Sequence, residues 1–308
     1  MKWTLLLART RRAAVIFTER VLSDAGLANI MRNRTLFSAT TVFSGLLAVA
    51  SLASTAVAAD MGYTNLPAVS AFNGKIELGA GWSDTDFLKS DEKIYGAGSF
   101  SLPLGESFGL QIDGAVKNVF GETFVGGAGH LFMRDPSAYL VGGIGGVADM
   151  GSANVAWGGG EAEFYLDRVS LELAGGYMNV DPDGGSSKDK AFAFADIAFY
   201  PTDNLRLAIG ASSVAGFEAG RLSAEYLMGD MPLSLKADIA AGEDDYVSGS
   251  VGLSFYFGGN ESSKSLIRRH REDDPRNRVL DIFGSAASAE LNRAPPAIVE
   301  PPGPNPED

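Results

Sequence analysis

The chain has 308 residues, a formal net charge of −13 at pH 7 and no cysteine. The lack of Cys excludes disulfides, thiolate metal sites and a Cys nucleophile, and only two histidines are present for a His-based cluster. The acidic balance argues against nucleic acid as a partner, because phosphate binding requires a basic surface.

The first 59 residues have the features of a leader. Residues 31–59 begin with Arg32 and Arg34, continue as an apolar run and end in the small residues AVAA, which is the pattern of a secretory signal peptide. We expect translation to start at Met31 and cleavage to fall near Asp60; a membrane anchor and a longer twin-arginine leader are the alternatives. Removal of residues 1–59 takes away seven Lys or Arg and two Asp or Glu, which changes the net charge from −13 to about −18.

From Phe72 to Phe257 the dominant pattern is an alternation of apolar and polar residues. In KIELGAGW, for example, Ile76 and Leu78 share one face while Lys75 and Glu77 share the other. Segments of this length match strands that cross a bilayer at a tilt. The pattern predicts twelve strands, at roughly 72–83, 93–103, 107–118, 122–133, 138–148, 154–166, 168–179, 190–200, 204–213, 217–228, 233–242 and 246–257.

Five tight turns of Pro, Gly, Asp and Asn alternate with six other loops between these strands. That arrangement is typical of an even-stranded antiparallel meander whose two ends lie on the tight-turn side. The sequence therefore predicts an all-β, antiparallel up-and-down transmembrane β-barrel over residues 60–258, between the leader of residues 1–59 and a tail of residues 259–308. A soluble β-protein of the periplasm is the alternative fold.

The polar face of the strands carries charges of both signs mixed with Gly, Ala and Ser, as expected of a crowded, wet lumen. Aromatic residues gather near the strand ends, as in interfacial girdles. Register between residues 122 and 148 is not fixed by the pattern, because these strands are rich in Gly. The candidate lumen-lining residues are Lys75, Glu77, Asp113, Lys117, Glu161, Glu163, Glu172, Asp196, Arg206, Arg221, Glu225, Lys236 and Asp238.

The last predicted strand, SVGLSFYF, resembles the C-terminal assembly signal of bacterial outer-membrane barrels through Ser250, Gly252, Phe255 and Phe257. The segments AVSAFNGKIELGAGW, LPLGESFGLQIDGAV and GGAGHLFMRDPSAYLVGG are similar to the porin-like outer-membrane β-barrel proteins of rhizobial alphaproteobacteria, a family without an assigned chemistry. The resemblance covers roughly residues 60–270. It implies an outer-membrane location, with membrane lipid and the barrel-assembly machinery as partners; oligomeric state stays open.

Residues 259–308 continue past this strand, and we expect them to lie in the periplasm as a basic and then Pro-rich tail. Lys264, Arg268, Arg269 and Arg271 would contact inner-leaflet headgroups or the cell wall, or else form a solvated linker. Val279, Ile282 and Phe283 occur at helical spacing, which predicts a short amphipathic helix near 277–292.

We expect a narrow porin-like channel for passive diffusion of ions or small solutes, because twelve strands fall between filled barrels and open porins. A non-conducting structural or surface-exposed barrel is the alternative. A barrel-borne lipid hydrolase using His130 is a distant third, since no Ser lies in a recognisable nucleophile context. The sequence predicts no enzyme activity, cofactor or metal site.

Overall fold

The computed structural model describes residues 66–85, 91–119, 121–183, 185–229, 231–261 and 263–285; the predicted leader lies outside these ranges. The described residues form twelve β-strands and two short helices. The strands are β1 Asn73–Asp84, β2 Asp91–Leu104, β3 Phe108–Val119, β4 Glu122–Asp135, β5 Tyr139–Met150, β6 Ala153–Leu166, β7 Val169–Pro182, β8 Lys188–Thr202, β9 Leu205–Val214, β10 Phe217–Leu227, β11 Leu233–Gly242 and β12 Val247–Gly258, and the helices are α1 Leu266–Glu272 and α2 Arg278–Phe283.

Each strand pairs antiparallel with its neighbour in sequence, and β1 pairs with β12 to close the barrel. The predicted strand number and topology are therefore confirmed, with strand ends correct to within three residues. We call the mouth where β1 begins and β12 ends the terminal mouth, which also holds the turns after β2, β4, β6, β8 and β10. The opposite end is the distal mouth.

The outer surface of the barrel is apolar. Leu78, Ile94 and Val147 are 65%, 69% and 65% exposed, and large apolar side chains are exposed on every strand except β6. A soluble protein rarely leaves so continuous an apolar surface in water, whereas outer-membrane barrels carry such a band against lipid. The protein is thus an outer-membrane type of β-barrel. Among the described residues, no helix is long and apolar enough to cross a bilayer.

Strands β4 and β5, whose register the sequence left open, have apolar side chains on both faces. Phe124 and Phe132 of β4 and Leu140 and Ile144 of β5 are buried inside the barrel, while Val125, Leu131 and Val141 are exposed outside it. With two apolar faces, the alternation that identifies the inward side is lost.

The β1–β12 seam leaves room for one inward-facing aromatic ring. Gly79 and Gly252 are direct partners across the seam, and the Tyr95 ring lies over both. A Cβ at Gly79 would lie 2.3 Å from the Tyr95 ring, and one at Gly252 would lie 2.7 Å from its hydroxyl oxygen. The packing of the Tyr95 ring therefore favours glycine at position 252. The recognition of Ser250, Gly252, Phe255 and Phe257 as an assembly signal stays a prediction.

After β12 the chain turns back into the barrel. Gly258 and Gly259 have φ of 71° and 80°, a region that glycine adopts without strain, and the Gly259 amide donates to the Phe72 carbonyl at 2.9 Å. Residues 264–285, here named the C-terminal plug, follow inside the lumen. The sequence predicted a periplasmic tail over residues 259–308. That prediction is corrected for residues 264–285, which lie in the lumen; residues 286–308 lie outside the described residues.

Candidate functional site

The candidate site is the barrel lumen together with the C-terminal plug. The thirteen charged residues predicted to line the lumen all lie on the inner face; ten of them are buried, and Arg221, Lys236 and Asp238 are partly buried and line the same cavity. They are brought together mainly as ion pairs. Three pairs join these wall residues to each other: Arg206 with Glu172 at 2.7 Å, Lys236 with Glu77 at 2.6 Å, and Arg221 with Asp196.

Two further cationic residues of the wall were not predicted from the sequence. Lys93 of β2 and Arg134 of β4 are buried on the inner face. Both lie at the ends of strands, and the predicted strands began at 93 and stopped at 133, whereas β2 begins at Asp91 and β4 extends to Asp135. With them, the described wall charges at these fifteen positions are eight acidic and seven basic, which is close to balance.

Helix α1 lies at the terminal mouth. Its first amides donate to the β8–β9 turn: Leu266 to the Asn204 side chain at 3.2 Å and Ile267 to the Asp203 carbonyl at 3.0 Å. At its other end, the Arg271 guanidinium donates at 3.1 Å to the carbonyl of Val169, the first residue of β7. The helix is thereby fixed to the β8–β9 turn and to the start of β7 at the same mouth.

The basic residues predicted to face headgroups or cell wall are mostly engaged within the protein. Lys264 is buried and lies 2.5 Å from Asp273, while Arg269 and Arg271 are also buried. Arg268 is the more exposed of the four, and it pairs with Glu261 and Glu272 at 2.6 Å each. This charge cluster holds the plug together instead of presenting a basic surface.

Two acids at the terminal mouth have shifted pKa values. Burial raises the pKa of Asp273, and the charge and hydrogen bonds of Lys264 with a hydrogen bond from Ser70 only partly oppose that effect. The hydrogen bond and charge of Arg268 lower the pKa of the exposed Glu261.

In the middle of the lumen the plug contacts strands β1 and β3. Asp274 pairs with Lys75 at 2.5 Å, and the Pro275 carbonyl accepts from the Gln111 side chain at 3.2 Å. Asn277, the N-cap of α2, accepts from the Leu280 amide at 3.2 Å. Backbone groups of the plug are thus satisfied by polar side chains of the wall, as buried polar groups require.

His130 lies at the centre of this contact. Its Nε2 is 3.0 Å from Asp113 Oδ2 and its Nδ1 is 2.9 Å from Glu161 Oε1. Asp113 Oδ2 also accepts from the Arg278 amide at 3.2 Å, and the Arg278 guanidinium lies 3.8 Å from Glu161. Carboxylates on both ring nitrogens fit an imidazolium that donates twice, so His130 links β3, β4 and β6 beneath the start of α2.

Arg221 joins the opposite wall to the plug. Its guanidinium pairs with Asp196 of β8 and, at 2.7 Å, with Asp281 of α2. Asp281 also pairs with Arg276 at 2.8 Å and Arg278 at 2.9 Å. One plug carboxylate therefore holds two plug cations and one wall cation.

Toward the distal mouth, α2 packs into an apolar part of the lumen. Val279, Ile282 and Phe283 are almost fully buried, and the Phe283 ring meets the Phe124 ring edge-on at a centroid distance of 5.7 Å. The wall here is formed by inward side chains that the sequence analysis did not single out as lumen residues, among them Ile144, Ala148, Met150, Val155, Trp157, Met178, Val180, Phe192, Phe194 and Val214. The predicted amphipathic helix near 277–292 is present over Arg278–Phe283. Its apolar face packs against the apolar side chains of the wall.

Beside the plug a cavity of about 180 Å³ remains. It lies between α2 and a wall that includes strands β1, β2, β3, β10, β11 and β12, and its lining includes Lys93, Lys117, Lys236, Asp238 and Arg276. Among the residues that the structure describes, no group of His, Asp and Glu is arranged to hold a metal ion.

The arrangement around His130 differs from that of a hydrolase. A nucleophilic serine needs its hydroxyl within hydrogen-bond reach of the base, whereas both His130 ring nitrogens are occupied by carboxylates, and its side chain is fully buried.

No protein-family model and no curated protein match the chain. Similar solved structures include a KdgM porin, with 12% identity and a TM-score of 0.47 over 59% of this chain and 99% of that one. An outer membrane channel from Pseudomonas putida F1 has 10% identity and a TM-score of 0.48 over 65% and 100%. Outer membrane phospholipase A from Escherichia coli has 13% identity and a TM-score of 0.41 over 64% and 93%. Likeness at this level does not transfer a function to this chain.

Proposed function

We propose that the protein is an outer-membrane channel for passive diffusion of ions or small solutes, closed while the C-terminal plug occupies its lumen. One observation carries this proposal: the lumen is filled by a separate segment, residues 264–285, and not by the side chains of its own strands alone. The wall behind that segment carries eight acidic and seven basic residues at the positions described above. The charged part of this wall is compatible with water once the plug moves, whereas the part around α2 is apolar.

The near balance of wall charges predicts weak ion selectivity for the unplugged barrel. The carboxylates Glu161 and Glu163 lie two residues apart on the inner face of β6, so replacing both by Lys removes two negative charges and adds two positive ones. We expect this change to shift the selectivity of an open lumen toward anions. Asp183→Lys, in the exposed β7–β8 loop, is a control that changes charge outside the lumen.

A non-conducting structural barrel is the second candidate, and the apolar packing of α2 favours it. Val279, Ile282 and Phe283 are as buried as residues of a protein core, and a plug held in this way would stay in place. The two candidates differ in whether the plug ever leaves the lumen.

Planar-bilayer recording separates them. The chain of residues 60–308 is compared with a truncated chain of residues 60–259, which lacks the plug. A difference in gel mobility between unboiled and boiled samples first shows that both chains fold. The channel proposal expects long closed periods with rare openings from residues 60–308, and steady conductance from residues 60–259. Silence from both folded barrels would contradict a channel and favour the structural barrel. Steady conductance of equal size from both would show that the plug does not close the lumen.

A further inference from the structure

The plug does more than enter the lumen: it runs through it from one mouth toward the other. Contacts along strand β3 show this path, because β3 starts at the terminal mouth and ends at the distal mouth. Gln111, Asp113 and Lys117 point inward at successive heights along it. They contact the Pro275 carbonyl, the Arg278 amide and the Phe283 carbonyl, at 3.2, 3.2 and 2.6 Å respectively.

The order of these contacts sets the direction of the plug. Lys117 follows Gln111 by six positions, which is about 20 Å along a strand. As β3 advances toward the distal mouth, the plug advances from Pro275 to Phe283. The plug therefore runs parallel to β3 across the middle of the barrel.

The two ends of the plug are fixed independently of β3. Leu266 and Ile267 donate to the β8–β9 turn at the terminal mouth. At the other end, the Gly284 carbonyl accepts from the Tyr246 hydroxyl at 3.1 Å, and Tyr246 directly precedes β12 at the distal mouth. Ser285, the last described residue, is bonded to Ile282 within the same turn.

From this path we infer that the barrel carries its own C-terminal segment across the membrane, so that residues 286–308 emerge on the side opposite to the two ends of the β-barrel. Both ends of a signal-directed barrel of this kind face the periplasm, which places the exported segment at the cell surface. It contains six prolines and has one Arg against four Asp or Glu. The inference does not depend on whether the lumen conducts.

The absence of cysteine allows a direct test by thiol labelling. Single-cysteine variants of the full chain are expressed in a Gram-negative host and exposed to a membrane-impermeant maleimide, before and after the outer membrane is permeabilised. Ser288→Cys and Ala297→Cys report the C-terminal segment. Ser107→Cys, in the exposed β2–β3 turn, marks the terminal mouth, and Ser186→Cys, in the exposed β7–β8 loop, marks the distal mouth.

The inference expects Ser288→Cys and Ala297→Cys to be labelled on intact cells together with Ser186→Cys, while Ser107→Cys reacts only after permeabilisation. Labelling of both C-terminal sites in step with Ser107→Cys would overturn it, whichever way the barrel faces. Since the controls define the two sides, the result does not depend on an assumed orientation. Conductance plays no part in this readout, so failure of the channel proposal and failure of this inference are distinguishable.

Discussion

Asp281 of α2 and Arg221 of β10 lie 2.7 Å apart, and the same guanidinium pairs with Asp196 of β8. This places one wall cation between a wall carboxylate and a plug carboxylate. The pair lies halfway through the barrel. Removal of Arg221 takes one of three cations from Asp281 and removes the cation that pairs with the buried Asp196.

Arg221→Ala should loosen the plug. Hydrogen bonds to charged groups contribute about 1.5–3 kcal/mol, and Arg276 and Arg278 keep contact with Asp281, so we expect the loss to be on the order of 2 kcal/mol. In bilayer recordings, the open fraction should rise by about tenfold or more. The control is Arg168→Ala, whose pair with Asp203 is exposed at the terminal mouth and is expected to contribute less than about 1 kcal/mol. Equal effects of the two variants would contradict a wall-to-plug role for Arg221.

Phe283→Ala tests the apolar contact of α2. Truncation of a buried Phe costs about 3–5 kcal/mol, and Phe283 is fully buried against Phe124. We expect the plug to become sensitive to added protease in detergent, while the barrel keeps its compact mobility on unboiled gels. Phe199→Ala is the matched control, because this ring is 47% exposed on the outer face. If proteolysis of the plug is the same in both variants, the contact does not hold the plug.

Gly79→Ala tests the seam between β1 and β12. The added Cβ would lie 2.3 Å from the Tyr95 ring, and overpacking of this kind costs about 1–3 kcal/mol. The fraction of protein that runs as the compact unboiled form should fall. Gly98→Ala is the control, because the nearest atom to its Cβ lies at 3.7 Å. The double variant Gly79→Ala with Tyr95→Ala should recover the compact form; no recovery would show that the ring is not the obstacle.

His130→Gln tests the buried His130, Asp113 and Glu161 contact. Gln keeps hydrogen-bonding groups but cannot supply a positive charge between two carboxylates, so the temperature at which the compact gel form is lost should fall. His270→Gln is the control, since His270 is partly exposed at the terminal mouth, with the Tyr200 hydroxyl 2.9 Å away. Lipid-ester hydrolysis by the purified chain that disappears in His130→Gln would instead restore the hydrolase alternative.

The fold could be predicted from the sequence because strand alternation is a local signal. In β1, Lys75 and Glu77 face inward and Ile76 and Leu78 face outward, as the period of two requires. The same signal fails in β4 and β5, because apolar side chains face lipid outside and, inside, pack against α2 or against Val69 and Tyr165. The apolar residues of β4 and β5 therefore belong to two faces, one toward lipid and one toward the lumen. Only the three-dimensional structure shows which residues belong to which face.

The plug could not be predicted for a related reason. The sequence predicted that Lys264, Arg269 and Arg271 lie in an exposed basic segment, since charged side chains are seldom buried unless paired. Lys264 pairs with Glu272 and Asp273 inside the plug, while Arg269 and Arg271 donate to the backbone carbonyls of Lys264 and Val169. The helical spacing of Val279, Ile282 and Phe283 was visible, but the surface that it packs against belongs to strands more than 60 residues away.

The plug is joined to β12 through Gly258 and Gly259 by only the few residues before Lys264. A segment on so short a tether cannot diffuse away after it leaves its binding site, and its effective concentration there is on the order of millimolar. Return to the lumen is then a unimolecular event whose rate does not depend on how much protein is present. A soluble competitor peptide would have to exceed that local concentration to keep the barrel empty.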